Sequence, residues 1–250
     1  MQTPLREAET EYAFEFTQEV FEKIQSANDL HILIPEDNVS DLEFVDVREK
    51  FYCKMKRFLD IFISLVALVA LLMPMAIIAL AIYLDDPGKI IFAQYRVGLY
   101  GKRFKLYKFR TMKQQTPKYL ATAELDNPDE YITKFGSFLR KSSLDEIPQL
   151  INVLKGDMSL IGPRPLISDE YEMHIMRTRL GVYNIRPGIT GLAQVNGRDL
   201  MEPEEKIHWD VRYLREFGLM TDLKVLLTTI PRVLKKEGVN EGGVKVDERQ

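Results

Sequence analysis

Cysteine is almost missing from this sequence: Cys53 is the only one in 250 residues. That excludes an intramolecular disulfide and a cysteine-based zinc site, and it permits a reducing compartment. Histidine is nearly as scarce, with three in the chain. His31 lies in an acidic N-terminal stretch, and His174 and His208 have no ligand-like spacing, so core or surface roles are expected for them. No G-x-S-x-G elbow occurs, which leaves a serine hydrolase without its nucleophile. Internal repeats and low-complexity tracts are absent. The opening forty residues lack the apolar run of a cleavable secretory signal, so none is expected.

The formal net charge of −3 is bland only as an average. Through Asp46 there are twelve acids against Arg6 and Lys23, which makes that arm about −10. The remainder holds 25 acids and 32 bases, about +7, a balance that suits phosphate-bearing partners as well as an ordinary solvated surface. With 46% hydrophobic residues the chain can build one sizeable core. We expect an acidic arm over residues 1–47, of unassigned role, and one catalytic domain over 48–250.

Between Ile61 and Leu84 the sequence IFISLVALVALLMPMAIIALAIYL carries no charge. A helix of this length can cross a hydrocarbon core, and a buried helix of a soluble domain would ordinarily carry a polar stripe. Pro74, near the middle, lacks an amide hydrogen and crowds the preceding turn, so a kink or break is expected there. Both flanks are basic: Arg48, Lys50, Lys54, Lys56 and Arg57 precede the segment, and Arg96, Lys102, Arg103, Lys105, Lys108 and Arg110 follow it. Both ends therefore prefer the cytoplasmic side. A helix-break-helix hairpin satisfies that preference, with a kinked single span as the alternative.

The rest reads as a β-hairpin followed by helices. Lys89 to Arg96 and Lys102 to Arg110 are short aromatic and β-branched runs around a Gly-containing turn. Helices are expected from Pro128 towards Lys141, from Ser143 to Gly156, from Ser168 to Leu180, from Pro203 to Phe217 and from Thr221 to Lys236. The last sets Leu223, Leu226, Leu227 and Ile230 against Lys224, Arg232, Lys235 and Lys236. It suits either a membrane surface or a core. Gly/Pro-rich connectors lie at Gly156 to Pro165 and Arg186 to Arg198.

Asp145 and Glu146 form an adjacent carboxylate pair in SSLDEIPQL. Ser143 and Glu146 also fit the S-x-x-E capping box, in which the pair would only start a helix. The neighbours favour chemistry: Arg140 and Lys141 precede the pair, and Asp157 and the Gly162-Pro163-Arg164-Pro165 turn follow. All of these can gather around one helix N-terminus, which attracts anions. Paired carboxylates beside several bases suit phosphoryl transfer through a divalent cation. Mg²⁺ prefers carboxylate and phosphate oxygens, arginine grips phosphate bidentately, and an aspartate can attack phosphorus directly.

In this order, KRFLDIFISLVALVALLMPM, RVGLYGKRFKLYKFRTM, RKSSLDEIPQLINVLKGDMSLIGPRP and RPGITGLAQVNGR resemble the bacterial sugar transferase family. These are the monotopic polyprenyl-phosphate phosphoglycosyl transferases, and the likeness runs from about Lys54 to Gly242. It implies an α+β, mainly helical fold: a re-entrant membrane helix hairpin over 61–84 broken at Pro74, and a cytoplasmic catalytic domain with a short β-hairpin and amphipathic interfacial helices. Met73 stands where the family often has serine, so only proline is left to break the helix. The resemblance implies that Asp145 is the nucleophile on the β-phosphate of a UDP-sugar, giving a phosphosugar-enzyme and UMP. Polyprenyl phosphate, undecaprenyl phosphate in bacteria, would then take the sugar phosphate. Glu146 would deprotonate the lipid phosphate or arrange Mg²⁺ with Asp145. Arg140 and Arg164 map onto phosphate-holding positions, with Lys108, Arg186 and Arg198 as further contacts to nucleotide or lipid phosphate. The implied partners are the UDP-sugar donor, the polyprenyl phosphate acceptor and membrane lipid, with room for a homo-oligomer and no nucleic acid. The implied place is the bacterial inner membrane, with the site on its cytoplasmic face. A catalytically silent scaffold and a sugar-phosphate-releasing hydrolase are the rival readings.

Overall fold

A computed structural model describes residue 47 and residues 51–116, 128–167, 170–197 and 201–235. The acidic arm up to Asp46, Arg198 and Lys236 lie outside the described residues.

The apolar segment is one long helix, α1 (Phe51–Asp85), with Pro74 inside it. Helical backbone continues through the proline, which forgoes one hydrogen bond there, so the two arms are not separate helices. Among the described residues, no other element covers the middle of α1. Val69 is 70% exposed, Leu72 71% and Met73 75%, which removes the soluble-core alternative and leaves lipid as the medium that would cover them.

Both ends of α1, by contrast, are built into the soluble body. Near its start, Tyr52 and Cys53 pack against the main core, and Arg57 donates to the carbonyls of Val153 (2.7 Å) and Leu154 (3.1 Å). Lys56 reaches Asp222 at 2.5 Å, and Asp60 accepts from the Leu160 amide at 3.1 Å. Near its end, Ile78 and Ile82 are buried with Phe109 and Leu139. Asp86, just beyond it, pairs with Arg110 at 2.9 Å.

The hairpin forms as the sequence suggests. Strands β1 (Ile91–Val97) and β2 (Arg103–Phe109) pair antiparallel with Val97 opposite Arg103. The next helix is shorter than expected. Ile132 leaves helical geometry to bridge Met112, so α2 (Pro128–Tyr131) stops and α3 (Lys134–Ser142) starts afresh. Thr133 caps the new start by accepting from the Gly136 amide. A 3₁₀ turn (Leu144–Glu146) leads to α4 (Gln149–Lys155), ended by a left-handed Gly156 at φ 91°.

Both Gly/Pro-rich connectors contain strands too short to show periodicity. β3 (Ser159–Ile161) and β4 (Gly188–Thr190) pair in parallel. A Cβ on Gly188 would lie 2.1 Å from the Gly162 amide nitrogen, so backbones meet here where any side chain would part them. Helices α5 (Tyr171–Arg179), α6 (Leu192–Asn196), α7 (Pro203–Arg215) and α8 (Leu219–Lys235) complete the body. The main core joins Val211, Leu214, Val225, Ile161 and Leu192. Leu223, Leu226, Leu227 and Ile230 on α8 stay exposed, so that stripe of the amphipathic helix is not core.

Candidate active site

The carboxylate pair sits on the 3₁₀ turn between α3 and α4, not on the first turn of an α-helix. Ser143 decides this. It adopts the left-handed conformation (φ 56°), ends α3 through its N–H to the Arg140 carbonyl, and makes no side-chain cap. The capping-box reading is thereby corrected, because the Glu146 carboxylate is engaged by other residues.

Lys108, on β2, donates to Glu146 Oε1 at 2.6 Å and lies 3.9 Å from Asp145 Oδ2. Arg164, from the Gly-Pro-Arg-Pro turn, places Nη1 3.7 Å from the same Glu146 oxygen. Arg140 donates from Nε to the Thr111 hydroxyl at 2.9 Å and acts electrostatically on Asp145. Three sequence-predicted cations, Lys108, Arg140 and Arg164, thus gather at the dyad. Arg186 does not join them: its Nε donates to the Gly156 carbonyl at 2.8 Å, at the far end of α4. Asp157 is also at that end, accepting from the Asn152 amide at 3.2 Å. Of the histidines, His174 is a core residue.

Two neighbouring carboxyls therefore sit in unlike environments. Burial pushes Asp145 up to about 6, with Lys108 opposing and the charge of Glu146 adding to the rise. Burial acts on Glu146 too, but Lys108, Arg164 and hydrogen bonds from Lys108 and Gln149 outweigh it and hold this carboxyl down at about 2. At neutral pH both are ionised, and Asp145 is the more basic oxygen nucleophile of the two. Such a split is how adjacent acids take different roles.

One neighbour escapes sequence reasoning. Arg96, which the sequence offers only as part of a basic flank, bonds Gln94 at 2.7 Å and the Pro165 carbonyl at 3.4 Å. Burial, then the charge of Arg164, lowers it to about 10. Its Nε has no hydrogen-bond partner among the described residues. The signal that finds it is strand register, since β1 carries it to the Arg164 turn.

The turn that carries the dyad is also tied to the buried end of α1. Leu144 and Ile147, on either side of it, pack on the cluster that α1 forms through Ile78 and Ile82 with Phe109 and Leu139. Among the described residues no group of three or more His, Cys, Asp or Glu is placed to hold a metal. Of the described residues, Asp145 and Glu146 are the carboxylates that could hold an ion here.

A carboxylate pair faced by cations thus stands beside a helix long and apolar enough to cross a membrane. The chain belongs to the bacterial sugar transferase family, whose sequence model matches residues 51–236. Among its relatives, the uncharacterized sugar transferase EpsL of Bacillus subtilis strain 168 is 41% identical over 197 residues, 75% of this chain and 91% of EpsL. The UDP-glucose:undecaprenyl-phosphate glucose-1-phosphate transferase of Escherichia coli K12 is 39% identical over 183 residues, 70% of this chain and 39% of that protein. The undecaprenyl-phosphate galactose phosphotransferase of Salmonella typhimurium LT2 is 37% identical over 199 residues, 74% of this chain and 41% of that protein. The chain therefore spans nine-tenths of EpsL but about two fifths of the other two.

Proposed function

We propose that the protein transfers a sugar 1-phosphate from a UDP-sugar to undecaprenyl phosphate at the cytoplasmic face of the bacterial inner membrane, and so initiates surface polysaccharide or glycoconjugate assembly. The observation that carries this reading is the Asp145–Glu146 pair, faced by Lys108, Arg140 and Arg164 and flanked by Leu144 and Ile147, which pack on the cluster that α1 joins. A lipid phosphate in the bilayer and a soluble nucleotide can both approach such a place. The Escherichia coli and Salmonella relatives are named for transfers of this kind.

In the first step an Asp145 carboxylate oxygen attacks the β-phosphorus of the donor. The bond from that phosphorus to the oxygen bridging to the α-phosphate breaks, and UMP leaves with the electron pair. An acyl phosphate carrying the sugar remains on Asp145. In the second step a phosphate oxygen of the lipid attacks the same phosphorus and returns Asp145 as a free carboxylate. Arg164 and Lys108 offset charge on the non-bridging oxygens, and Arg140 offsets charge near Asp145. Glu146, held strongly acidic, serves as a fixed anion for a cation rather than as a base. Two carboxylates completed by substrate phosphates match the way Mg²⁺ is usually held, so Asp145 and Glu146 would hold the ion, which would neutralise pyrophosphate charge when bound.

UMP release by the purified protein tests the reading, using Mg²⁺ and UDP-glucose, UDP-galactose and UDP-N-acetyl sugars with and without undecaprenyl phosphate. Lipid-dependent release from one donor is expected and would name the sugar. Without lipid, release should stop at about one UMP per protein, the yield of the first step alone; sustained release without lipid would make the protein a hydrolase, and silence with every donor a scaffold.

The re-entrant path of α1 is part of this proposal. It is supported by the docking of both ends of the helix on one soluble body and by the basic residues at both ends. With Cys53 replaced by Ser, single cysteines at Lys54 and Lys102, both exposed, should label only from the cytoplasmic side. Labelling of one from outside would require a spanning helix.

A further inference from the structure

The turn that presents Arg164 is held along its backbone. Five successive carbonyls each accept from a different donor. Gly188 N–H donates to Pro163 at 2.9 Å and Val97 N–H to Leu166 at 3.1 Å. Arg177 Nη1 donates to the Arg164 carbonyl at 2.7 Å. Arg96 Nη1 donates to Pro165 at 3.4 Å, and His174 Nε2 lies 2.7 Å from the Ile167 carbonyl.

Two of these donors belong to one buried network. Arg177 Nε and Nη2 donate to Asp210 Oδ2 at 2.9 and 2.6 Å, and Arg177 also bonds the Tyr183 hydroxyl. That hydroxyl lies 2.5 Å from His174 Nδ1. Because a carbonyl only accepts, Nε2 of His174 carries hydrogen towards Ile167, and Nδ1 shares a hydrogen bond with the Tyr183 hydroxyl. The chain Asp210, Arg177, Tyr183, His174 thus ends on the turn twice, at the carbonyls of Arg164 and Ile167. A buried ion pair adds little net stability over apolar residues of the same volume. A guanidinium, however, is the side chain whose rigid fork can hold a carboxylate, a phenol and a carbonyl at once.

We propose that Arg177, fixed by Asp210, is a positioning residue for the donor pyrophosphate. It sets where the Arg164 guanidinium stands opposite Glu146 and touches no substrate itself. This rests on the transferase reading above. Remote misplacement of a binding group by about an ångström commonly costs on the order of a hundred-fold in rate.

The test is a double-mutant cycle on the full chain, read as UMP release with the UDP-sugar that the wild type uses, together with thermal midpoints. Arg177→Lys keeps a charge opposite Asp210 but loses the fork. It should lower kcat/KM about ten-fold or more, chiefly through the KM for donor, with a midpoint within a few degrees of wild type. In an Arg164→Ala background the same change should add almost nothing, because the residue it positions is gone. Should Arg177→Lys fail to fold, Tyr183→Phe removes only the linking hydroxyl and should show a smaller loss with the same dependence on Arg164. Equal losses in both backgrounds, or no rise in KM, would overturn the positioning role. A wild type silent with every donor would overturn the transferase reading itself.

Discussion

Asp145→Asn should abolish turnover, by a thousand-fold or more, while the protein still binds the UDP-sugar. The amide matches the carboxylate in shape but cannot bond covalently to phosphorus, so the first bond-making step is lost and the phosphate-gripping cations remain. Two further readings separate this from general damage. Labelled donor should leave no radioactivity on the mutant protein after denaturation, whereas the wild type without lipid should retain sugar phosphate. In the absence of Mg²⁺ and nucleotide the mutant should also melt no lower than the wild type, because a neutral side chain sheds the cost of holding a charge in a buried position. Asp145 is 8% exposed, so that cost is real. Near-normal turnover would remove Asp145 from its role and pass the chemistry to Glu146 or to direct displacement.

The second large effect is on stability, where Asp222→Ala should cost about 3–5 kcal/mol. Asp222 is 5% exposed and Lys56 8%. The carboxylate takes Lys56 at 2.5 Å and the Tyr52 hydroxyl at 2.7 Å on one oxygen, and the Tyr213 hydroxyl at 2.7 Å on the other. Removing it leaves the Lys56 ammonium with Asp60 at 3.9 Å as its next carboxylate, takes the acceptor from the Tyr52 hydroxyl, and leaves the Tyr213 hydroxyl only the Ile161 carbonyl at 3.2 Å. Denaturant or thermal unfolding in a fixed detergent measures the loss. Lys56→Met added to Asp222→Leu should recover part of it, since the uncompensated charge is then gone. A single mutant as stable as wild type would mean that water reaches the network.

The sequence carries the dyad and Arg164 openly, because each lies in a short motif whose chemistry follows from residue type, whereas Lys108 enters only through the family resemblance, as a contact to phosphate, and its bond to Glu146 is set by β2. It carries Arg177 and Asp210 hardly at all, since their pairing depends on how α5 packs on α7, 33 positions apart. Ser143 misleads for another reason. The S-x-x-E pattern reports which side chains are near, but not the sign of φ, and a left-handed Ser143 turns the pattern from a helix start into a helix stop. The helix from Pro128 splits because Ile132 answers to Met112 across the fold. Arg186 is basic and well placed in sequence, yet the open carbonyl at the end of α4 claims it. Local patterns reveal elements; what each charged group faces is settled by packing between distant segments.

Because α1 supplies Ile78 and Ile82 to one cluster, Lys56 to another, and arginine donors to the last carbonyls of α4, the anchor is also interior wall. Cutting the chain before β1 would open Phe109 and Leu139 to water, free Asp222 of its cation and leave the Leu160 amide without Asp60. A clipped, freely diffusing version should therefore aggregate instead of working in solution. The lipid attachment and the catalytic body stand or fall together as a single folding unit.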